Sequence, residues 1–110
     1  MPAHELWSVE EYARWRSIEL VETAIDRLVT IMPCFVFMAV LVPTAAGASD
    51  AFIYDGQGVS GTLRITLASI TGDPAGEHYW PPQYFSKGLF IDVDTNVQVV
   101  RVRYMIDPRQ

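Results

Sequence analysis

Two alternating segments near the end of the chain constrain its fold more than any other feature. In residues 89–93 every second residue is aliphatic, and in residues 100–106 apolar side chains alternate with Arg101 and Arg103. A period of two is typical of a β-strand that buries one face. Turn-forming polar residues, 94–96, lie between the two segments. The pattern therefore predicts an antiparallel hairpin that closes a β domain.

Length and composition indicate one globular domain with a modest core. The chain has 110 residues, of which half are hydrophobic and 19% are charged, so a disordered tail is excluded. The formal net charge is −5, and an acidic chain without basic clusters is a poor binder of nucleic acid. Cys34 is the one cysteine, which excludes an intramolecular disulfide and a cysteine-based metal site.

The N-terminal third has the signals of an amphipathic helix. Ser8 and Glu11 have the spacing of a capping box. Apolar residues then recur every three or four positions, namely Trp15, Ile18, Val21, Ala24, Ile25 and Leu28. These signals predict a helix from Val9 to Asp26 in an N-terminal helical arm, residues 1–29, followed by a β-sandwich domain, residues 30–110. The stripe packs either on its own domain or on another subunit.

The uncharged run from residue 28 to residue 49 is long enough to raise the question of a membrane span. Pro33 and Pro43 interrupt it, and the apolar block between them, residues 34–42, is too short for a transmembrane helix. A signal peptide is also disfavoured, because the preceding segment is long and acidic. We expect a buried core strand here, and no membrane contact.

Further strands complete the expected architecture. Residues 51–54 and 62–68 are predicted strands, and the aromatic segment 78–85 is proline-rich, which restricts it to an edge strand or a corner. Short strands separated by turn signals predict a mainly β fold. We expect an antiparallel β-sandwich or jelly-roll-like barrel of about six to eight strands, preceded by one N-terminal α-helix.

The sequence lacks the motifs of catalytic chemistry. The segment that starts at Asp92 begins like a calcium loop, but Val97 and Arg103 occupy the positions that need glycine and glutamate. Cys34 lies at the start of an apolar strand, where a cysteine is usually a small buried hydrophobe. His4 and His78 belong to no metal-ligating or catalytic spacing. We therefore expect no enzyme activity, no cofactor and no metal.

The aromatic segment is the best candidate for a contact surface. Tyr79, Trp80, Tyr84 and Phe85 could pack at one end of the sandwich, form a subunit interface, or stack on sugar rings. The residue types leave these three alternatives open.

Four short motifs follow one another along the chain: Tyr54-Asp55-Gly56, Ser60-Gly61-Thr62-Leu63, the segment 85–92 that begins Phe85-Ser86-Lys87-Gly88, and the alternating segment 97–104. Together they resemble the motifs of small structural proteins of tailed bacteriophages. The resemblance extends over about residues 34–106 and leaves the predicted helix unmatched. It implies a β-sandwich of the capsid decoration, head-fibre or connector-accessory type. Proteins of this kind are architectural, so the resemblance brings no catalytic residue.

The resulting expectation is a non-enzymatic virion protein that forms a homo-oligomer. It would be made in the host cytoplasm and would attach to the major capsid protein or other virion proteins. The interface residues expected for these contacts are Trp7, Tyr12, Trp15, Ile18, Val21, Tyr79, Trp80, Tyr84 and Phe85. The alternative is a carbohydrate-binding module that uses the aromatic segment 78–85.

Overall fold

The computed structural model describes residues 18–45 and 47–109, which form eight β-strands and no helix. The strands are β1 Glu19–Thr23, β2 Arg27–Thr30, β3 Cys34–Pro43, β4 Ser49–Asp55, β5 Thr62–Ser69, β6 Ala75–Phe85, β7 Leu89–Val93 and β8 Val97–Ile106. They make two four-stranded antiparallel sheets, in the orders β1-β8-β3-β6 (sheet A) and β2-β7-β4-β5 (sheet B). The predicted mainly β, antiparallel fold is confirmed.

The connectivity of the strands is symmetric about the turn between β4 and β5. The first strand pairs with the last, the second with the seventh, the third with the sixth and the fourth with the fifth. Two further pairings, β3 with β8 and β4 with β7, complete the sheets. The chain thus follows the path of a long antiparallel ribbon that has been wound into two layers.

The core lies between the two sheets and takes residues from seven of the eight strands. Sheet A contributes alternate residues of β3 and β8, and sheet B contributes those of β4, β5 and β7. The largest side chain that is fully buried is Phe85, at the end of β6. The alternation in residues 89–93 and 100–106 is confirmed, because Leu89, Ile91, Val100 and Val102 are all completely buried.

The predicted hairpin is wrong, although both of its strands are present. Strand β7 belongs to sheet B and β8 to sheet A, so the turn at residues 94–96 carries the chain from one layer to the other. The backbone of this turn bonds to the β3–β4 connection and to β4: Thr44 N donates to Asn96 O at 2.9 Å, and Asp94 N donates to Asp50 O at 3.1 Å. The turn therefore anchors a corner of the sandwich.

The helix predicted up to Asp26 is wrong over its C-terminal part. Glu19–Thr23 is strand β1, which pairs with β8 and places Val21 opposite Val102 in the core. The sandwich accordingly includes β1 and β2, both of which begin before the predicted domain start at residue 30. The remainder of the predicted helix, residues 9–17, lies outside the described residues.

The uncharged run and the proline-containing aromatic segment both form strands where the sequence predicts them. Cys34–Pro43 is a central strand of sheet A, as predicted for the uncharged run. The aromatic segment lies in β6, an edge strand of the same sheet. Val36 pairs with Gln83 and Met38 pairs with His78, so β6 bulges outward over the four residues between them. Prolines are tolerated there because an edge strand leaves one side of its backbone unpaired.

Candidate interaction surface

Strand β3 is apolar on both of its faces, and its second face creates an apolar cluster outside the core. Cys34, Val36 and Ala39 point into the core, whereas Phe35 forms a separate cluster with Met105 of β8. Phe37 packs against these two residues, and we call the three together the outer cluster. The outer face of a sandwich usually carries polar side chains. The outer cluster is therefore the part of sheet A that departs from that pattern.

The ring of Phe35 contacts both an aromatic ring and a cation. The centroid of the Tyr84 ring is 5.0 Å away at an interplanar angle of 47°, a favourable tilted geometry. The guanidinium carbon of Arg109 lies 5.4 Å from the Phe35 centroid, within the range of a cation–π contact. Phe35 keeps only 7% of its surface exposed.

Asp107 holds Arg109 in place over this ring. Its carboxylate accepts hydrogen bonds from the Arg109 backbone amide at 2.9 Å and from two guanidinium nitrogens at 3.0 and 3.2 Å. Burial acts to raise the pKa of Asp107, but the hydrogen bonds and charge of Arg109 outweigh it, and the pKa is lowered overall. The backbone amide of Asp107 also donates to Pro33 O, which ties the C-terminal segment to the start of β3.

The open side between β5 and β6 forms a cleft of about 340 Å³, which we call the β5–β6 cleft. Residues 64–68 line it from sheet B, and residues 75–77, Tyr79 and Gln83 line it from sheet A. Burial, and to a smaller extent the Glu77 charge, raises the pKa of the Tyr79 hydroxyl. The cleft combines a partly buried aromatic ring with several hydrogen-bonding groups.

A second apolar surface surrounds β1 and β2 at the opposite side of the sandwich. Its large apolar side chains are all at least 39% exposed, and they are Ile18, Leu20, Ile25, Leu28, Ile31 and Met32. Scattered exposed hydrophobic residues are normal on a protein surface, but six within 15 consecutive residues are concentrated. This side of the molecule is consequently suited to contact another apolar surface.

Three of the four motifs on which the phage resemblance rests meet at one corner of the structure, around the carboxylate of Asp55, and the fourth lies in β8. This buried carboxylate accepts hydrogen bonds from Ser86 N at 3.1 Å, Ser86 Oγ at 3.3 Å and Lys87 N at 2.7 Å. Arg64 lies 3.9 Å from it as an ion pair. The bonds occupy both carboxylate oxygens, so this corner is a structural junction rather than a reactive site.

The other candidate residues form no catalytic pair in the described part of the chain, because Cys34 lies opposite Phe85 and His78 opposite Met38, and His4 lies outside the described residues. Burial, together with a smaller effect of the Asp55 charge, raises the pKa of Cys34 to about 12, so its thiol is unreactive at neutral pH. His78 is exposed on β6. Within the described ranges, no group of three or more His, Cys, Asp or Glu side chains is placed to hold a metal ion.

The predicted interface residues divide into three groups. Val21 and Phe85 are buried in the core of the domain. Ile18, Trp80 and Tyr84 are exposed by 39%, 59% and 38%, and Tyr79 is half-buried in the β5–β6 cleft. The other three, Trp7, Tyr12 and Trp15, lie outside the described residues.

Sequence reasoning missed the outer cluster and its C-terminal partner. The sequence analysis assigned no surface role to Phe35, Met105 or Arg109. A signal for Phe35 was present, because an uninterrupted apolar strand in a two-layer fold must have a covered outer face as well as an inner one. The contribution of Arg109 has no such signal, since it depends on the turn at residues 107–109.

No family model matches the chain, and neither a curated protein nor a solved structure was found to be similar to it. Of the residues described, none belongs to a helix that is long and apolar enough to cross a membrane.

Proposed function

We propose that the chain is a non-enzymatic structural protein of a virion, which self-associates and decorates a phage capsid or tail surface. The fold we assign to it is an eight-stranded jelly roll. The observation that carries the proposal is the winding of the strands, in which strands one to four pair in reverse order with strands eight to five. Jelly rolls of this size are typical of viral capsid domains and of lectins.

The apolar surfaces support the self-association. The large side chains around β1 and β2 are exposed, from 39% for Ile18 to 73% for Ile25, whereas Phe35 and Met105 of the outer cluster are already buried within the domain. A small domain gains from burying such surfaces in a repeated assembly, because its own core is limited by its size. The described polar sites also support a structural role, since the Asp55 carboxylate is used for holding backbone segments together.

Association with particles tests the proposal directly. Phage particles induced from the strain that encodes the chain are purified on a density gradient and probed with an antibody against the protein. We expect the protein to sediment with intact particles at a fixed copy number relative to the major capsid protein. A protein that stays entirely at the top of the gradient, while particles form normally, would contradict a virion role.

A carbohydrate-binding module is the second candidate, and the β5–β6 cleft favours it. Tyr79, Glu77 and Gln83 line this cleft, and such a combination of an aromatic ring with polar groups suits a sugar. Trp80 follows Tyr79 in β6 and, at 59%, is the most exposed aromatic residue of segment 78–85. Binding on a glycan array that is lost in Trp80→Ala and retained in Gln98→Glu, an exposed position on β8, would support this alternative. The absence of binding across a broad array would count heavily against the carbohydrate-binding alternative.

A further inference from the structure

We infer that the edge strand β5 is a dimerisation edge, at which two copies of the chain pair antiparallel across a two-fold axis. The pairing would join two copies of sheet B into one continuous sheet. The inference rests on the self-association in the proposed function and names the surface that performs it.

The four edge strands differ in how well they resist pairing with another chain. Exposed edges are usually protected by charge, proline, bulges or short length. Strand β1 carries Glu19 and Glu22, β2 has only four residues and a register shift, and β6 contains two prolines within a wide bulge. These three edges are therefore protected by the usual devices.

Strand β5 has the weakest protection of the four. It has eight residues without proline, and β4 is its one pairing partner in the described part of the chain. Its single charge, Arg64, lies at a register shift near its start and is already engaged with Asp55 at 3.9 Å. The stretch from Ile65 to Ser69 is regular and uncharged. Every second backbone N–H and C=O along it points away from β4 and is available to another strand.

The side chains next to this edge favour a second copy as the partner. Leu63, near the start of β5, is 47% exposed, and Ile70, directly after the end of β5, is 78% exposed. Antiparallel pairing places the Leu63 end of one copy beside the Ile70 end of the other, so both apolar side chains become covered. The formal charge of each molecule is −5, and the uncharged centre of β5 is a place where two such molecules can approach closely.

The charges of the β5–β6 cleft are complementary under the same two-fold operation. Arg64 lies near the start of β5, whereas Glu77 lies near the start of β6, which is where β5 ends. Reversing the direction of the partner therefore brings Arg64 of one copy level with the partner's Glu77, and the 3.9 Å contact with Asp55 leaves 38% of the Arg64 side chain exposed for this second interaction. A two-fold interface must be self-complementary in this way, because one patch meets itself.

Light scattering after gel filtration tests the inference on the full chain, over about a hundredfold range of concentration. We expect a species of twice the 12.4 kDa chain mass. Thr66 is exposed at the middle of β5, close to the two-fold axis. Thr66→Glu should weaken the dimer at least about tenfold, because like charges would then face each other. Gln98→Glu adds the same charge on β8 of the other sheet and should leave the mass unchanged.

Mixing two variants with opposite charges at residue 66 distinguishes the loss of the interface from damage to the fold. Thr66→Lys alone should also be monomeric, and mixing it with Thr66→Glu should restore a species of dimer mass. In the unsubstituted chain, amide exchange within residues 65–69 should slow as the protein concentration rises. An oligomer that persists in both Thr66 variants would overturn the β5 interface and leave self-association through another surface. A monomer at every concentration would overturn the inference and self-association together, and the sedimentation assay reports on the virion role independently.

Discussion

The carboxylate of Asp55 accepts a 2.7 Å hydrogen bond from the backbone amide of Lys87, a residue 32 positions later in the chain. Together with the bonds from Ser86, this contact joins the end of β4 in sheet B to the end of β6 in sheet A. The two sheets are thus held by a buried charged acceptor as well as by the apolar core. Hydrogen bonds to an ionised group are roughly twice as strong as those between neutral groups.

Removing the Asp55 carboxylate should destabilise the fold. We expect Asp55→Ala to lower the free energy of unfolding by about 1–3 kcal/mol, because the amides of Ser86 and Lys87 lose their acceptor at a partly buried place. Asp55→Asn retains one acceptor oxygen and should cost less. Urea denaturation of both variants measures the difference. Equal losses for Ala and Asn would contradict the role of the specific hydrogen bonds.

Two glycines in the loop beside Asp55 offer a matched comparison. A Cβ on Gly61 would lie 2.6 Å from Asp55 O and 3.0 Å from the Gly56 Cα, whereas a Cβ on Gly58 would meet no heavy atom within 4 Å. Gly61→Ala should therefore cost about 1–3 kcal/mol of stability, as overpacking does. Gly58→Ala should range from neutral to a gain of about 1 kcal/mol through the unfolded chain. Thermal unfolding of the two variants side by side checks the contrast.

The strands could be predicted from the sequence more successfully than their partners. The alternation at residues 89–93 and 100–106 correctly identified two strands, but not that they lie in different sheets. A polar turn between two one-sided strands has the same local pattern whether it closes a hairpin or crosses between layers. The distinction depends on contacts with the β3–β4 connection, such as that of Asn96 Nδ2 with Ala48 O at 3.1 Å.

The N-terminal error has a similar cause. The apolar positions from Ile18 to Leu28 fit a helical period, but Val21 and Thr23 also alternate with the exposed Glu22. When a short segment fits both periods, its secondary structure depends on the element it packs against. Here that element is strand β8. The ion pair of Arg101 with Glu22, at 2.9 Å, reinforces the strand pairing. A local sequence pattern cannot reveal it, because the two residues are far apart in the chain.

The candidate surfaces were predicted only in part, again because a local sequence pattern does not contain the contacts between distant strands. The aromatic segment 78–85 was recognised from its composition, which also placed it at an edge. Composition could not separate Phe85, which is fully buried, from Tyr84, which is 38% exposed. The difference follows from strand alternation, which assigns adjacent residues to opposite faces of a sheet.

The thiol of Cys34 should react very slowly with thiol-modifying reagents in the native protein. The side chain is completely buried, and its pKa is raised to about 12, so the reactive thiolate is scarce. We expect an aromatic disulfide reagent to react at least about a hundredfold more slowly with the folded protein than with the unfolded chain. Thr95→Cys adds an exposed thiol as a positive control. Rapid native labelling of Cys34 would contradict the buried position of β3.

Asp92 should be a source of pH-dependent instability. Burial is the main cause that raises its pKa above the ordinary 3.8, and Asp26, Asp94 and Asp50 add to the shift. A raised folded-state pKa contributes stability below 3.8 that is lost as the pH rises through the folded value. Asp92→Asn should therefore gain about 0.3–0.5 kcal/mol at neutral pH, a small effect because the group is partly exposed. The gain should shrink in high salt and vanish in acid, as urea titrations at several pH values would show.

Asp107 should show the opposite pH dependence. Burial opposes its ionisation, but Arg109 overcomes that effect and lowers the pKa below 3.8, so the folded state favours the charged carboxylate. Its stabilisation is present above pH 3.8 and is lost as the pH falls through the folded value. We expect Asp107→Asn to cost about 1–2 kcal/mol at neutral pH, through weaker bonds to the guanidinium. The variant and the unsubstituted protein should converge in stability at the acid end of the titration.

Arg109→Gln, which removes the cation that stacks on Phe35, serves as the control for Asp107→Asn. Arg109→Gln should abolish most of the pH dependence of stability that is due to Asp107. Without the guanidinium, the Asp107 carboxylate loses the interaction that favours its charged form. The two substitutions combined should cost less than the sum of their separate effects, since they break one interaction. Additive losses with unchanged pH dependence would show that Asp107 stabilises the C-terminal segment independently of Arg109.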